Sequence, residues 1–283
     1  MDSSVTLHTI SHALAHARQY PEITSLEAQV LLGHIAKRER AWLIAHPEAP
    51  LDPNKAAHYR DLLVRLAAGE PLAYLTGSAS FYGLEFVITP DVLVPRPDTE
   101  VLVDTVLERA ANRSGGLRIV DVGTGSGIIA VSLAVKLPDA DVTALDLSDA
   151  ALEVTRTNAE RNGVRDRVHC IHSNLLESVA GPFDVITANL PYIAQPELPT
   201  LSVTRWEPIL ALDGGADGLN LIRALLAEIP EKIVKNGVVF LEIGYDQGER
   251  VAALCKQAFP EASIEVRADL AELDRVVIID TTS

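Results

Sequence analysis

From residue 117 to the C-terminus, short apolar runs alternate with segments of helical period. Residues 117–122, 141–145, 167–171, 183–188 and 237–243 read as short strands, the one at 183–188 as a buried strand. Residues 127–137, 149–162, 218–234 and 247–258 carry apolar residues at helical spacing. That rhythm predicts a parallel sheet covered by helices, because parallel neighbours need a long crossover and a helix supplies it. The last two runs, 263–267 and 275–280, break the rhythm. Only a short acidic loop separates them, too little for a crossover, so an antiparallel hairpin is expected there.

Upstream, residues 1–70 read as helices alone. One runs over 6–20 and stops at Pro21; Thr24 and Glu27 form a capping-box pattern that opens the next, with Leu26, Val30, Leu31 and Ile35 on its apolar face. A short helix over 38–46 follows, then one with Asp52 as cap and Pro53 in its first turn, closed by Gly69. Residues 71–95 change character and predict a connector with a hairpin around Gly83. The expected organisation is a helical domain over 1–70, a connector over 71–95 and an α/β domain over 96–283.

Composition narrows the function. The formal net charge of −15, without any Lys/Arg run, opposes direct nucleic-acid binding, which draws its affinity from cations on phosphates. With 48% hydrophobic residues the chain is globular. Cys170 and Cys255 have no metal-ligand spacing and read as free thiols, and His8, His12 and His16 read as a solvated stripe, so no metal is expected. No stretch has the length of a membrane span and no secretory leader is visible, which predicts a cytoplasmic protein.

Two stretches carry chemistry. Between the first strand and its helix lies Asp121-Val122-Gly123-Thr124-Gly125-Ser126-Gly127. Its glycines permit tight turning and close approach of a ligand, and the helix beyond offers free N–H groups. A dinucleotide would use a similar turn, but the spacing here is GxGxG and not GxGxxG. Asp146 closes the second strand, where a carboxylate can accept both hydroxyls of a ribose, and this suits either ligand. Asp121 favours S-adenosylmethionine (SAM), since a carboxylate can approach an ammonium and would repel a pyrophosphate. After the third strand, Asn174 can accept a hydrogen bond from an adenine amino group, or serve as a loop residue.

The second stretch is Thr187-Ala188-Asn189-Leu190-Pro191-Tyr192, at the carboxyl end of the fourth strand, where open parallel sheets bind ligands. Pro191 biases Leu190 to an extended backbone. The Asn189 side-chain oxygen and the Leu190 carbonyl can then converge on a planar NH2 group, with Pro191 and Tyr192 as walls. A plain strand-end turn is the alternative.

A parallel sheet with an antiparallel terminal hairpin resembles the seven-stranded SAM-dependent methyltransferase (Rossmann-like) fold. More narrowly, the chain resembles the HemK-type release factor glutamine methyltransferases. The resemblance rests on Gly69-Glu70-Pro71-Leu72-Ala73-Tyr74-Leu75-Thr76-Gly77, Val94-Pro95-Arg96-Pro97-Asp98-Thr99-Glu100, the loop from Asp121 to Gly127, Glu207-Pro208, Asp217-Gly218-Leu219, Leu241-Glu242-Ile243-Gly244 and Asp269-Leu270 with Asp274-Arg275. It implies methylation of the glutamine side-chain nitrogen in the Gly-Gly-Gln motif of class I peptide chain release factors, with SAM as cofactor and S-adenosylhomocysteine as product. It further implies a helical N-terminal domain that docks the release factor, and a monomer is expected. Asn189, Leu190, Pro191 and Tyr192 would be the catalytic group, and with Arg96 would bind the substrate. Asp121, Gly123, Thr124, Gly125, Ser126, Gly127, Asp146, Asn174, Leu175 and Asn189 would hold the cofactor. Two positions depart from the family pattern: Leu190 stands where a proline is usual, and Asn174 where an acid is usual. A nucleobase amino-methyltransferase and a non-catalytic SAM- or release-factor-binding module are the competing readings.

Overall fold

The computed structural model of the chain describes residues 7–111 and 115–282. It divides into two compact units, Met1–Gly77 and Ser78–Ser283. The start of the first predicted helix, at residue 6, lies outside the described residues.

The first unit holds helices α1 (Ile10–Ala17), α2 (Ser25–Ala36), α3 (Arg40–Ala45), α4 (Pro53–Ala67) and α5 (Leu72–Thr76). Thr24 and Glu27 cap α2 reciprocally: the Thr24 hydroxyl accepts from the Glu27 N–H (3.2 Å), and the Glu27 carboxylate accepts from the Thr24 N–H (2.8 Å). Asp52 caps α4, with Pro53 in the first turn. The buried face of α2 is Ala28, Leu31, Leu32 and Ile35, an i, i+3, i+4, i+7 stripe. Leu26 lies off that stripe and is exposed, contrary to the sequence-based expectation. Leu31, Leu32, Leu43 and Leu63 close around Tyr59, whose hydroxyl donates to the Ala28 carbonyl (3.1 Å). The segment of α5, read from the sequence as connector, is thus helical and belongs to this unit.

In the second unit, β1 (Ser78–Phe81) and β2 (Leu84–Val87) form the hairpin expected around Gly83. Tyr82 and Gly83 both take positive φ (53° and 74°), as a two-residue turn of the hairpin type requires. A 3-10 turn (Pro97–Thr99) leads into α6 (Glu100–Ala110). Then follow β3 (Arg118–Val122), α7 (Ile128–Lys136), β4 (Asp141–Asp146), α8 (Asp149–Arg161), β5 (Val168–His172), β6 (Phe183–Ala188), α9 (Asn220–Glu228), β7 (Ile233–Glu242), α10 (Gly248–Ala258), β8 (Ser263–Ala268) and β9 (Asp274–Asp280). The helix predicted over 218–234 ends early because Pro230 lacks an N–H and clashes with the preceding turn; a 3-10 turn replaces it and β7 begins at Ile233.

These strands form one sheet in the order β5-β4-β3-β6-β7-β9-β8. All neighbours are parallel except β9, which runs antiparallel to both β7 and β8. This is the α/β architecture that the sequence pattern predicts. The chain leaves β3 toward β4 and β5, then returns to place β6 on the other side of β3. Strand order therefore reverses between β3 and β6, and the crevice at their carboxyl ends is where such sheets bind ligands. Both chemical stretches begin there: the glycine loop follows β3 and Asn189 follows β6. Cys255 is buried on α10 and Cys170 half-buried on β5, and both are free.

Candidate active site

A cavity of about 330 Å³ opens at that crevice, a size suited to a small-molecule cofactor. Its wall includes Arg96, Gly123, Thr124, Gly125, Ser126, Asp146, Asn174, Leu175, Asn189, Leu190 and Pro191. Asp121, Gly127 and Tyr192 are not in that wall.

The loop is built from below. Gly123 and Thr124 both donate their N–H to the Leu145 carbonyl (2.9 and 2.8 Å), which folds the chain back over β4. Gly123 has φ 73°, and a Cβ there would lie 3.0 Å from the Leu190 side chain, so the two ligand-facing turns touch through a glycine. Gly127 is also left-handed, and a Cβ would meet Thr155 at 2.8 Å; this glycine packs helix α7 against α8. Asp121 sits beneath the loop, fully buried, with Thr124 and Thr187 donating their hydroxyls to its two oxygens (2.7 and 2.8 Å). Burial pushes its carboxyl up to about 6 despite those two bonds. It links the loop to β6.

Asp146 reaches the wall. One of its oxygens accepts from the Gly125 N–H (2.8 Å) and the other from the Ser148 N–H (2.9 Å). A carboxylate has about four acceptor positions, so both oxygens retain capacity for a ribose diol. Burial raises its pKa, opposed by these backbone donors. Asn174 donates its Nδ2 to Glu177 (3.1 Å), which leaves its side-chain oxygen as the open acceptor. Leu175 beside it has φ 48°, a rare backbone state for a leucine, and forms part of the apolar wall.

On the other side, the side-chain Nδ2 of Asn189 donates to the Thr99 hydroxyl (3.3 Å), and Thr99 donates to Glu242 (3.1 Å). Leu190 is buried, with its side chain in the main core of the unit. Arg96 pairs with the buried Glu207 (2.6 Å), which also accepts from the Val94 N–H (3.2 Å). Arg275, at the start of β9, holds Asp98 (3.2 Å) and Asp269 (3.0 Å). Burial raises the Tyr192 pKa, and the Glu242 carboxylate adds to it. The backbone carbonyl of Tyr192 accepts from Gln247 (2.9 Å), anchoring the turn from outside the wall.

Residue-by-residue reading of the sequence assigned no role to Thr99, Thr155, Asn158 or Glu242. Asn158 is fully buried on α8 and bridges the Ser126 carbonyl (2.9 Å) and the backbone of Val87, tying hairpin to loop. Its signal was a polar residue on the apolar face of a helix. That of Glu242 was a lone acid within the apolar run of β7.

The site residues suit SAM. Glycines let the backbone approach, Asp146 and Asn174 present acceptors for ribose and adenine, and apolar side chains fill between.

Residues 6–77 match the family model described as PrmC N-terminal domain, and residues 97–205 match Methyltransferase small domain. The release factor glutamine methyltransferase of Bordetella pertussis is 42% identical over 259 residues, covering 90% of this chain and 94% of its own. That of Moorella thermoacetica is 44% identical over 252 residues, covering 88% and 89%. Among solved structures, a methyltransferase from Pyrococcus furiosus aligns with a TM-score of 0.52 at 20% identity, covering 79% of this chain and 99% of that one. An rRNA methyltransferase from T. thermophilus aligns with a TM-score of 0.52 at 21% identity, covering 72% and 49%. The structural matches show a shared methyltransferase fold; the sequence relatives go further, and by them this chain belongs to the release factor glutamine methyltransferase family.

Proposed function

We propose that this chain methylates the side-chain nitrogen of the glutamine in the Gly-Gly-Gln motif of class I peptide chain release factors, with SAM as the methyl donor. One observation carries the reading: Asn189 stands in the cavity wall with its Nδ2 bound inward to Thr99, so that its side-chain oxygen is the end left for a substrate.

SAM supplies an electrophilic methyl group on a sulfonium. The chain must supply an oriented nucleophile. An amide nitrogen is a poor one, because its lone pair is delocalised into the carbonyl. Two acceptors, the Asn189 side-chain oxygen and the Leu190 carbonyl, would each take one hydrogen of the glutamine NH2. They fix the nitrogen and oppose the positive charge that grows on it, the counterpart of an oxyanion hole. Holding the pair in near-attack geometry supplies much of the remainder. After transfer the nitrogen is cationic and acidic, and its proton can pass to water. Arg96, neutralised by Glu207, lines the approach without adding net charge. A nucleobase substrate would use the same acceptors, but the charge of −15 disfavours it.

The test is radiolabelled methyl transfer to a purified release factor, beside the same factor with its Gly-Gly-Gln glutamine changed to alanine. Label is expected in the first and absent from the second. Equal labelling would reject the substrate.

The unit Met1–Gly77 is, in the same reading, the docking unit for the release factor, and the cytoplasm is where the two meet. Deleting it should leave SAM binding intact and raise KM for whole release factor by about tenfold or more, since a second contact raises effective concentration at the site. An unchanged KM would remove the docking role. No helix among the described residues is long and apolar enough to cross a membrane.

A further inference from the structure

Glu242 ends β7 one strand away from the Asn189 turn. It is 2% exposed, between the buried Leu241 and Ile243. One carboxylate oxygen accepts from Thr99 (3.1 Å), and the Thr99 oxygen accepts from Asn189 Nδ2 (3.3 Å). The other has no hydrogen-bond partner among the described residues. Asn189 also favours the charged form of Glu242, which only its NH2 end can do.

The two ends of an asparagine amide are nearly the same size, so packing does not choose between them; hydrogen bonds do. Here the donors run one way, from Asn189 N–H to Thr99 oxygen and from Thr99 O–H to Glu242. An ionised carboxylate accepts and cannot donate, so the chain cannot reverse. We propose that Glu242 is a positioning residue for the transfer: through Thr99 it holds the Asn189 amide with Nδ2 inward, leaving Oδ1 to accept from the substrate NH2. This rests on the role given to Asn189 above. With the amide turned over, two NH2 groups would face each other and the substrate nitrogen would keep only one of its two acceptors, the Leu190 carbonyl.

Charge adds to geometry. Burial pushes Glu242 up to about 7, opposed by the Thr99 bond and by Arg275. The groups facing it are Arg275 from β9, Asp98 from the turn before α6, and Tyr192 after β6, with Arg96 beside Tyr192 and Asp269 on Arg275. Ionisation as pH rises through neutrality makes Glu242 the stronger acceptor, so kcat should rise there.

The experiment compares T99V, T99S, E242L, E242Q and wild type in the full-length chain. It reads kcat and KM for release factor from pH 6 to 8.5, and SAM affinity by calorimetry. T99V and E242L should lower kcat roughly 10–100-fold, the scale of a misplaced reacting group, with SAM affinity within about threefold. A T99V/E242L double variant, measured alongside, should be no worse than either single one, because both cut one chain of bonds. T99S should recover most of the rate. E242Q keeps an acceptor, should lose less, and should no longer show the rise in kcat through neutrality. If E242L fails to fold, T99V still decides. A T99V kcat within about threefold of wild type, SAM affinity lost in step with rate, or an E242Q pH profile superimposable on wild type would overturn the proposal. Failure of the readings beneath it is distinguishable: Asn189→Ala would keep full activity if Asn189 has no role, and wild type would label the Gln→Ala release factor equally if the substrate is wrong.

Discussion

Asn189→Ala should lower the turnover of methyl transfer by on the order of 10²–10³, the cost of removing one preorganised partner of developing charge. SAM affinity should stay within a few-fold, since in this reading the cofactor is held mainly by the glycine loop after β3 and by Asp146, which the truncation leaves in place. The truncation removes the acceptor and also leaves Thr99 without its donor, so Thr99 and Glu242 lose the constraint that Asn189 gives them. Asn189→Asp is the sharper variant. It keeps an acceptor oxygen, but its second oxygen would replace the NH2 that faces Thr99 and the buried Glu242. Two carboxylates would then share one dry site, and one would hold its proton. Impairment is expected, not rescue. Radiolabelled transfer to a release factor at saturating SAM, with calorimetry alongside, measures both quantities; full activity in Asn189→Ala would sink the mechanism.

What the sequence made legible follows from the range of each signal. Apolar runs and turn residues act locally, and they place the strands of the main sheet to within a few residues, with the antiparallel hairpin between β8 and β9 deduced from loop length alone. Pro230 is equally visible, but apolar residues at helical spacing continue past it through Ile233, so the helix expected over 218–234 overshoots α9. The 3-10 turns between Leu198 and Ala211 have no hydrophobic period to read.

The site was legible in proportion to how much of it is backbone. The glycine loop declares itself by composition, and so does a polar turn after an apolar strand. Which way a side chain faces is a different matter. Asp121 and Val122 are adjacent on β3, and alternation sends Val122 to the cavity wall while Asp121 goes beneath the loop. No local pattern separates those outcomes. Nor does anything local join Thr99 to Glu242, which are far apart in the chain and meet because α6 and the turn before it pack against β7. The left-handed backbone of Leu175 runs against residue preference altogether.

Asp146→Ala should do the reverse of Asn189→Ala. Its carboxylate joins the glycine loop to the start of α8 by accepting from Gly125 and Ser148, and it is half-buried in the wall where a ribose would lie. Hydrogen bonds to a charged group contribute about 1.5–3 kcal/mol each way of counting. Losing the ribose contacts alone should therefore weaken SAM binding roughly 10–100-fold. The freed Gly125 N–H would also loosen the loop, so the upper half of that range is the expectation. Asp146→Asn retains one acceptor but turns an NH2 toward Gly125, Ser148 or the diol, and should fall between alanine and wild type. Since Asp146 does not touch the Asn189 turn in the described hydrogen bonds, kcat at saturating SAM should change far less than affinity does. Calorimetry gives the affinity, and the shift of Tm on adding SAM gives an independent measure, because a ligand stabilises the fold only as far as it binds. Unchanged affinity in Asp146→Ala would take the carboxylate out of the cofactor site. A large fall in kcat with affinity intact would instead place it with the substrate.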